Sequence, residues 1–332
     1  MMTRLFAAVC LSLASPLGAS EFRLAWPVDC RLGLDCFIQQ YVDHDPGPQA
    51  TDFTCGTLSY DGHKGTDIAL PSLRRMDQGV TVHAAAAGVV AGLRDGMTDA
   101  YASPERSAEI DGRDCGNGVV LRHPDGWETQ YCHLKQGSVL VQKGARVARG
   151  APLGEIGLSG RTQFPHLHLS VRHDGAVVDP FHPVAGFDAA ESCAAPQAPT
   201  LAPALWQDDA SPRYVATGVI DAGFAAQIPD YDAIKAGSAD TAALPAHASA
   251  LVLWAYAYGS LPGDELQLRI VAPDGTVFFH SRQTLDRQQS QYFRAGGKRV
   301  QAPLSAGTYR GHVEIWREGQ LQDRDLVVLS QP

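Results

Sequence analysis

The chain has 332 residues, of which 45% are apolar and 19% charged, and its formal net charge is −9. That composition suffices for about two packed domains and excludes disorder as the main state. The acidic balance, spread without long like-charge runs, argues against broad binding to nucleic-acid phosphates or anionic lipid.

Residues 1–20 read as a signal peptide. Arg4 supplies the positive start, Leu5 to Leu13 a short apolar run, and Gly18-Ala19-Ser20 the small residues at which a signal peptidase cuts. No later stretch reaches 18 uninterrupted apolar residues, so no membrane span is expected and the exported protein, periplasmic or secreted, should be soluble. Export changes how the cysteines are read. Leaving out Cys10, six remain, and an even number in an exported chain favours disulfides. Cys30 and Cys36 close a small loop. Cys115 and Cys132 lie opposite each other if His123-Pro124-Asp125-Gly126 turns a hairpin. Cys55 and Cys193 are then left to each other.

Residues 21–62 are polar and irregular and read as a disulfide-pinned lead-in. From residue 63 to 188 the pattern is one of short β runs bounded by glycine: Val80–Ala84, Gly88–Leu93, Gly118–His123, Glu128–His133, Gly137–Val141, Pro152–Ile156 and His166–Arg172. Strands without intervening helical patterns imply an antiparallel all-β unit. A polar insertion between Leu93 and Cys115 reads as a long surface loop. Residues 189–203 are an Ala/Pro linker. Residues 204–332 carry further strand candidates at Tyr214–Ile220, Ala248–Tyr258, Glu265–Val271, Thr276–His280, Thr308–Trp316 and Gln322–Leu329, which suggest an Ig-like β-sandwich. Its His247, His280 and His312 read as ordinary sheet residues.

The chemistry gathers in the first unit, where nine of the twelve histidines fall between His44 and His182. His63-Lys64-Gly65-Thr66-Asp67 places a histidine and a carboxylate four residues apart. Tyr131-Cys132-His133-Leu134 ends a predicted hairpin strand. His166-Leu167-His168 sets two imidazoles at i and i+2, on the same face of a strand. Three ligands from among His63, Asp67, His166 and His168 would suit a zinc ion that keeps its fourth position open. The remaining histidine, with His133, would then act on water or on the developing oxyanion.

Taken together, these elements resemble the M23 metallopeptidases, the lysostaphin- and LytM-type zinc endopeptidases. The resemblance covers residues 63 to about 183 and rests on separated motifs: the HxGxD of His63 to Asp67, the run from Gly79 to Val90, and the strand patterns of Gly116 to Gly126 and Thr129 to Leu134. It continues through Gly144 to Gly154, the His-Leu-His of His166 to His168, and Asp179-Pro180. The resemblance implies a LytM/M23-type antiparallel sheet, zinc ligands His63, Asp67 and His168, and catalytic histidines His133 and His166. It further implies hydrolysis of peptidoglycan cross-linking peptides, with Zn2+ as cofactor. This sequence departs from the family's pattern at Gln163 and Phe164, which precede Pro165, in the insertion before Cys115, and at Cys132 beside His133. Phe164 is expected at the groove rim.

Two other readings keep the same motifs. Some LytM-type domains are non-enzymatic regulators that bind and activate wall amidases, and a secreted protease would direct the same chemistry at other proteins. The C-terminal sandwich would either dock the groove against the wall or a protein partner, or cap an exposed sheet edge. In the lead-in, Asp43, His44 or Asp45 would cover the metal if the enzyme were latent; the plainer reading is a structural segment.

Overall fold

The computed structural model describes residues 21–184, Cys193, 203–207, 212–245, 248–301 and 303–332. The expected signal peptide, most of the expected linker, and His247 lie outside the described residues. The N-terminal unit carries β1 (Phe37–Gln40), β2 (Thr66–Ala69), β3 (Thr81–His83), β4 (Gly88–Arg94) and β5 (Asn117–Arg122). It continues with β6 (Trp127–Leu134), β7 (Arg146–Val147), β8 (Pro152–Glu155), β9 (His166–His173) and β10 (Ala176–Val178). Eight of these form one antiparallel sheet in the order β1-β2-β9-β6-β5-β4-β7, with β10 also paired to β9, while β3 and β8 form a two-stranded sheet of their own.

Period-two alternation explains how the large sheet holds a site on one face. Along β9, Leu167, Leu169 and Val171 are buried in the core, and His166, His168, Ser170 and Arg172 occupy the alternate positions. Ile68, Leu121 and Tyr131 from neighbouring strands join that core, as do Val82 of β3 and Leu153 of β8. Each such aliphatic side chain contributes about 1.5–3 kcal/mol by burial, which pins the strand register and therefore the histidine face.

The lead-in is more integrated than its composition suggests. Leu24, Val28, Tyr41, Phe53 and Leu58 are buried in the same core, and β1 supplies an edge strand to the main sheet. Leu205 and Trp206 pack there as well, with Leu24 N–H donating to the Leu205 carbonyl (2.8 Å). The three disulfides are Cys30–Cys36, Cys55–Cys193 and Cys115–Cys132. The expected strand at Gly137–Val141 does not form. The Asp95 carboxylate accepts from the N–H groups of Gly137 (2.7 Å) and Val139 (3.3 Å), so a side chain takes donors that a ladder would need. The insertion before Cys115 is not featureless either. It holds a 3-10 turn (Pro104–Arg106) followed by a short helix (Ser107–Ile110), and Ile110 is fully buried.

The C-terminal unit is an antiparallel two-sheet β-sandwich of Ig-like type. Strands β11 (Gly218–Ala225), β12 (Ala250–Ser260) and β15 (Gln289–Arg299) make one sheet. The other contains β13 (Glu265–Val271), β14 (Val277–Thr284), β16 (Gly307–Arg317) and β17 (Gln320–Gln331), in the order β14-β13-β16-β17. Leu251, Leu253, Leu266, Leu268, Val313 and Ile315 fill the space between them. Strand β15 is absent from the sequence reading because its C-terminal half, Ala295-Gly296-Gly297-Lys298, lacks strand-forming residues. A Cβ at Gly297 would collide with the Leu251 carbonyl oxygen, so close approach of the two backbones requires glycine there. The sandwich leans on β1: Tyr258 stacks on Phe37 (4.8 Å between ring centres) and Gln291 donates to Gln39, while Tyr214, just before β11, donates to Asp52 of the lead-in (2.7 Å).

Candidate metal centre and catalytic cleft

Strand register builds the centre. Asp67 of β2 lies opposite His168 of β9, and Ala69 opposite His166, so Asp67 and His168 share a face as direct cross-strand neighbours. His63 reaches the same point from a turn just before β2, in which its N–H donates to the Tyr60 carbonyl (2.9 Å). Gly65 makes the turn compatible with the ligands. A Cβ there would lie 2.6 Å from His168 Nε2 and 2.7 Å from the Leu169 carbonyl oxygen.

His63 Nε2, Asp67 Oδ1 and His168 Nδ1 form a triangle with sides of 3.2, 2.8 and 3.2 Å. A tetrahedral ion with ligand bonds of about 2.0–2.1 Å separates its ligand atoms by about 3.3 Å, so the spacing of these three atoms fits what such an ion would require. Among the described residues, these three form a group that can hold a metal ion. The second such group, Cys30, Asp35 and Cys36, contains two cysteines already committed to a disulfide.

Backbone carbonyls set the tautomers. A carbonyl only accepts, so a ring nitrogen facing one must carry the proton. His63 Nδ1–H donates to Tyr41 O (2.7 Å), His133 Nδ1–H to Ser159 O (2.8 Å) and His166 Nδ1–H to Phe164 O (2.9 Å). Each of the three therefore keeps a lone pair on Nε2. His166 Nε2 stands 3.5 Å from Asp67 Oδ1, outside the tighter triangle, and the rings of His133 and His166 are 4.6 Å apart. His133 holds a left-handed backbone at φ +62°. Simple alternation would aim its side chain at the core face occupied by Tyr131, whereas the bulge brings its ring beside His166.

The site's electrostatics follow from burial and from the single carboxylate. Burial works to raise the Asp67 carboxyl, yet the imidazoles of His63 and His166 hold it well below the usual range, so it stays anionic. Burial also works to lower His63, but the Asp67 charge and hydrogen bond outweigh it and the net shift is upward. His133 is driven well below its ordinary value by burial, and the neighbouring His166 and His168 add to that effect. It is thus neutral, with a basic nitrogen available. His168 is lowered chiefly by burial.

Several supporting groups carry no advance signal in the sequence. Ser159 is one: its hydroxyl accepts from Asn117 N–H (2.9 Å) and donates to Leu134 O (2.7 Å), while its carbonyl fixes His133. Tyr41 contributes only a backbone carbonyl, which no motif search can find. Aromatic rings flank the centre, with Tyr60 tilted over His63 and Phe164 stacked on His166, each at 4.4 Å between ring centres. Phe164 is therefore packed on a site imidazole, not merely at a rim. The insertion lies against this loop, since Ala102 N–H donates to Thr162 O (2.9 Å) and Gln163 Nε2 to Ala102 O (2.7 Å). Asp43, His44 and Asp45 are engaged elsewhere. Asp43 caps Gly62 and Thr51, His44 pairs with Asp179 (2.8 Å), and Asp45 binds Gly47.

An antiparallel sheet that presents two imidazoles and a carboxylate, with two further imidazoles alongside, defines a candidate single-metal hydrolytic centre. Residues 61–180 match Peptidase family M23. The DD-carboxypeptidase/endopeptidase Mpg of Neisseria meningitidis is 35% identical over 118 residues, which is 36% of this chain and 22% of the relative. The peptidoglycan DD-endopeptidase ShyA of Vibrio cholerae is 36% identical over 109 residues, 33% of this chain and 20% of the relative. The chain spans about a fifth of the length of these curated relatives. A crystal structure of a zinc containing peptidase from Vibrio cholerae is 26% identical, with a TM-score of 0.33, over 47% of this chain and 39% of that one.

Proposed function

We propose that the protein is an exported zinc metalloendopeptidase that hydrolyses peptide bonds in peptidoglycan cross-links. One observation carries the reading: three ligand atoms 2.8–3.2 Å apart, flanked by two imidazoles whose Nδ1 protons are tied to backbone carbonyls. His63, Asp67 and His168 would hold the ion, and a mixed nitrogen and oxygen donor set suits zinc. When bound, zinc would polarise the scissile carbonyl and lower the pKa of water at its open position.

The chain's own residues do the rest. His133, neutral because it is buried, takes at Nε2 the proton that the attacking water gives up. Since Nδ1–H of both His133 and His166 is committed, whichever ring has gained a proton donates it from Nε2 to the tetrahedral oxygen or to the leaving nitrogen. A well-placed donor to that oxygen is worth about 3 kcal/mol in the transition state. Asp67 balances part of the ion's charge and holds His168 in place.

The substrate reading draws support from relatives named for peptidoglycan endopeptidase activity. Export draws support from the amino-terminal signal and from three disulfides, which persist in oxidising compartments. No helix among the described residues is long and apolar enough to cross a membrane. Packing of the sandwich on edge strand β1 favours the capping role for that unit. The test is digestion of purified sacculi, with His133→Ala and a chelator-treated sample alongside. Cross-linked muropeptide dimers should fall to monomers only with the intact, metal-loaded protein. Equal behaviour of all three samples would overturn the enzyme in favour of a regulator.

A further inference from the structure

We infer that the Cys115–Cys132 disulfide is a positioning device for His133, holding its backbone in the left-handed conformation that aims the imidazole at the metal centre. The inference rests on the peptidase reading only for its activity readout. Cys132 immediately precedes His133 and lies opposite His168 across β6 and β9, so its side chain points to the metal face. Its partner Cys115 accepts the His133 N–H at its carbonyl (2.8 Å). A covalent link and a hydrogen bond therefore join the same two neighbouring points and close a small ring around the Cα of Cys132.

That ring sits where it is needed. A left-handed backbone costs a non-glycine residue about 1–2 kcal/mol, and His133 is at φ +62° just where the β5–β6 ladder breaks between Asn117 and Val119. The loop carrying Cys115 also secures the rest of the shell. Its Asp114 carbonyl accepts from Arg161 N–H (2.8 Å), and Asn117 N–H donates to the Ser159 hydroxyl (2.9 Å), so it seats the loop whose Ser159 carbonyl fixes His133 Nδ1. The side-chain ion pairs from this loop, Arg161 with Asp111 and Asp114, are more than half exposed. Such pairs contribute little, so the loop is held by those backbone bonds, by buried Asn117 and, covalently, by the disulfide next to His133. Gly118 leaves room for it: a Cβ there would lie 2.9 Å from Cys115 Sγ.

The test compares the zinc-loaded full chain with a Cys115→Ser/Cys132→Ser double variant, using Cys30→Ser/Cys36→Ser as a control for loss of a remote bond. Loss of the Cys115–Cys132 bond should lower kcat on a soluble cross-linked muropeptide at least tenfold. KM and zinc affinity should stay within about twofold, and the control should keep its kcat. Independently of activity, the NMR resonance of His133 Nδ1–H should shift or exchange faster in the first variant, and that of His63 Nδ1–H should not. An unchanged His133 resonance, or a kcat loss matched by an equal loss of zinc affinity, overturns the inference. An inactive wild-type chain would refute the peptidase reading and leave the resonance to decide this one.

Discussion

Gly65→Ala probes the metal centre without removing any ligand. The added methyl would start 2.6 Å from His168 Nε2, 2.7 Å from its Cε1 and 2.7 Å from the Leu169 carbonyl oxygen. Ordinary contact begins near 3.4 Å, so something must retreat by about 0.8 Å to relieve a repulsion that rises steeply at such range. The carbonyl is held in the β2–β9 pairing, where Thr66 lies opposite Leu169, which leaves the imidazole of His168 to swing. A swing of that size is about four times the ±0.2 Å within which metal–ligand distances must fall. Metal affinity should therefore drop about 100-fold, at the upper end of what shell perturbations cost. The metal-free fold should lose only the 1–3 kcal/mol typical of overpacking. Competition with a chromogenic chelator measures the first quantity and thermal melts of the metal-free protein the second. Wild-type metal affinity in Gly65→Ala would show that His168 is not positioned as described.

His133→Ala should keep the metal but lower kcat by about 10²–10⁴-fold, as loss of a general base or acid does; parallel loss of zinc would refute the division of roles. Asp221 is raised to about 6, above all by burial and further by the nearby Asp240. Because its folded-state value exceeds the unfolded one, the fold favours the protonated form, and stability present below about pH 4 is lost as pH rises toward 6. The loss should reach at most about 3 kcal/mol, and Asp221→Asn should abolish that slope; identical denaturation midpoints for wild type and variant at pH 4 and 7.5 would count against it. A chain beginning at residue 63 should fold poorly and lose activity, since it lacks β1 and the Tyr41 carbonyl that orients His63. Higher activity from a soluble truncated chain would instead favour the latent reading of the lead-in.

Spacing marked His63, Asp67, His166 and His168 as candidates, because i and i+2 share a strand face; only their joint presence and the M23 resemblance gave each a role. Sequence favoured Cys30–Cys36 by its short loop and Cys115–Cys132 by one hairpin turn, and left Cys55 and Cys193 over; the fold is what brings that last, distant pair together. Local sequence could not separate His166 from His168, since both point the same way. The register of β2 against β9 decides which lies beside Asp67, and that register is set by core leucines on the opposite face. Nor could it foresee the bulge at His133, the glycine-rich strand β15, or β1, each of which depends on a partner distant in the chain. The acceptors that set the tautomers are backbone carbonyls at Tyr41, Ser159 and Phe164, and every residue type has such a group. Composition and spacing thus determined which chemical groups are present; folding alone decided where each lone pair and proton points, because direction comes from long-range contacts.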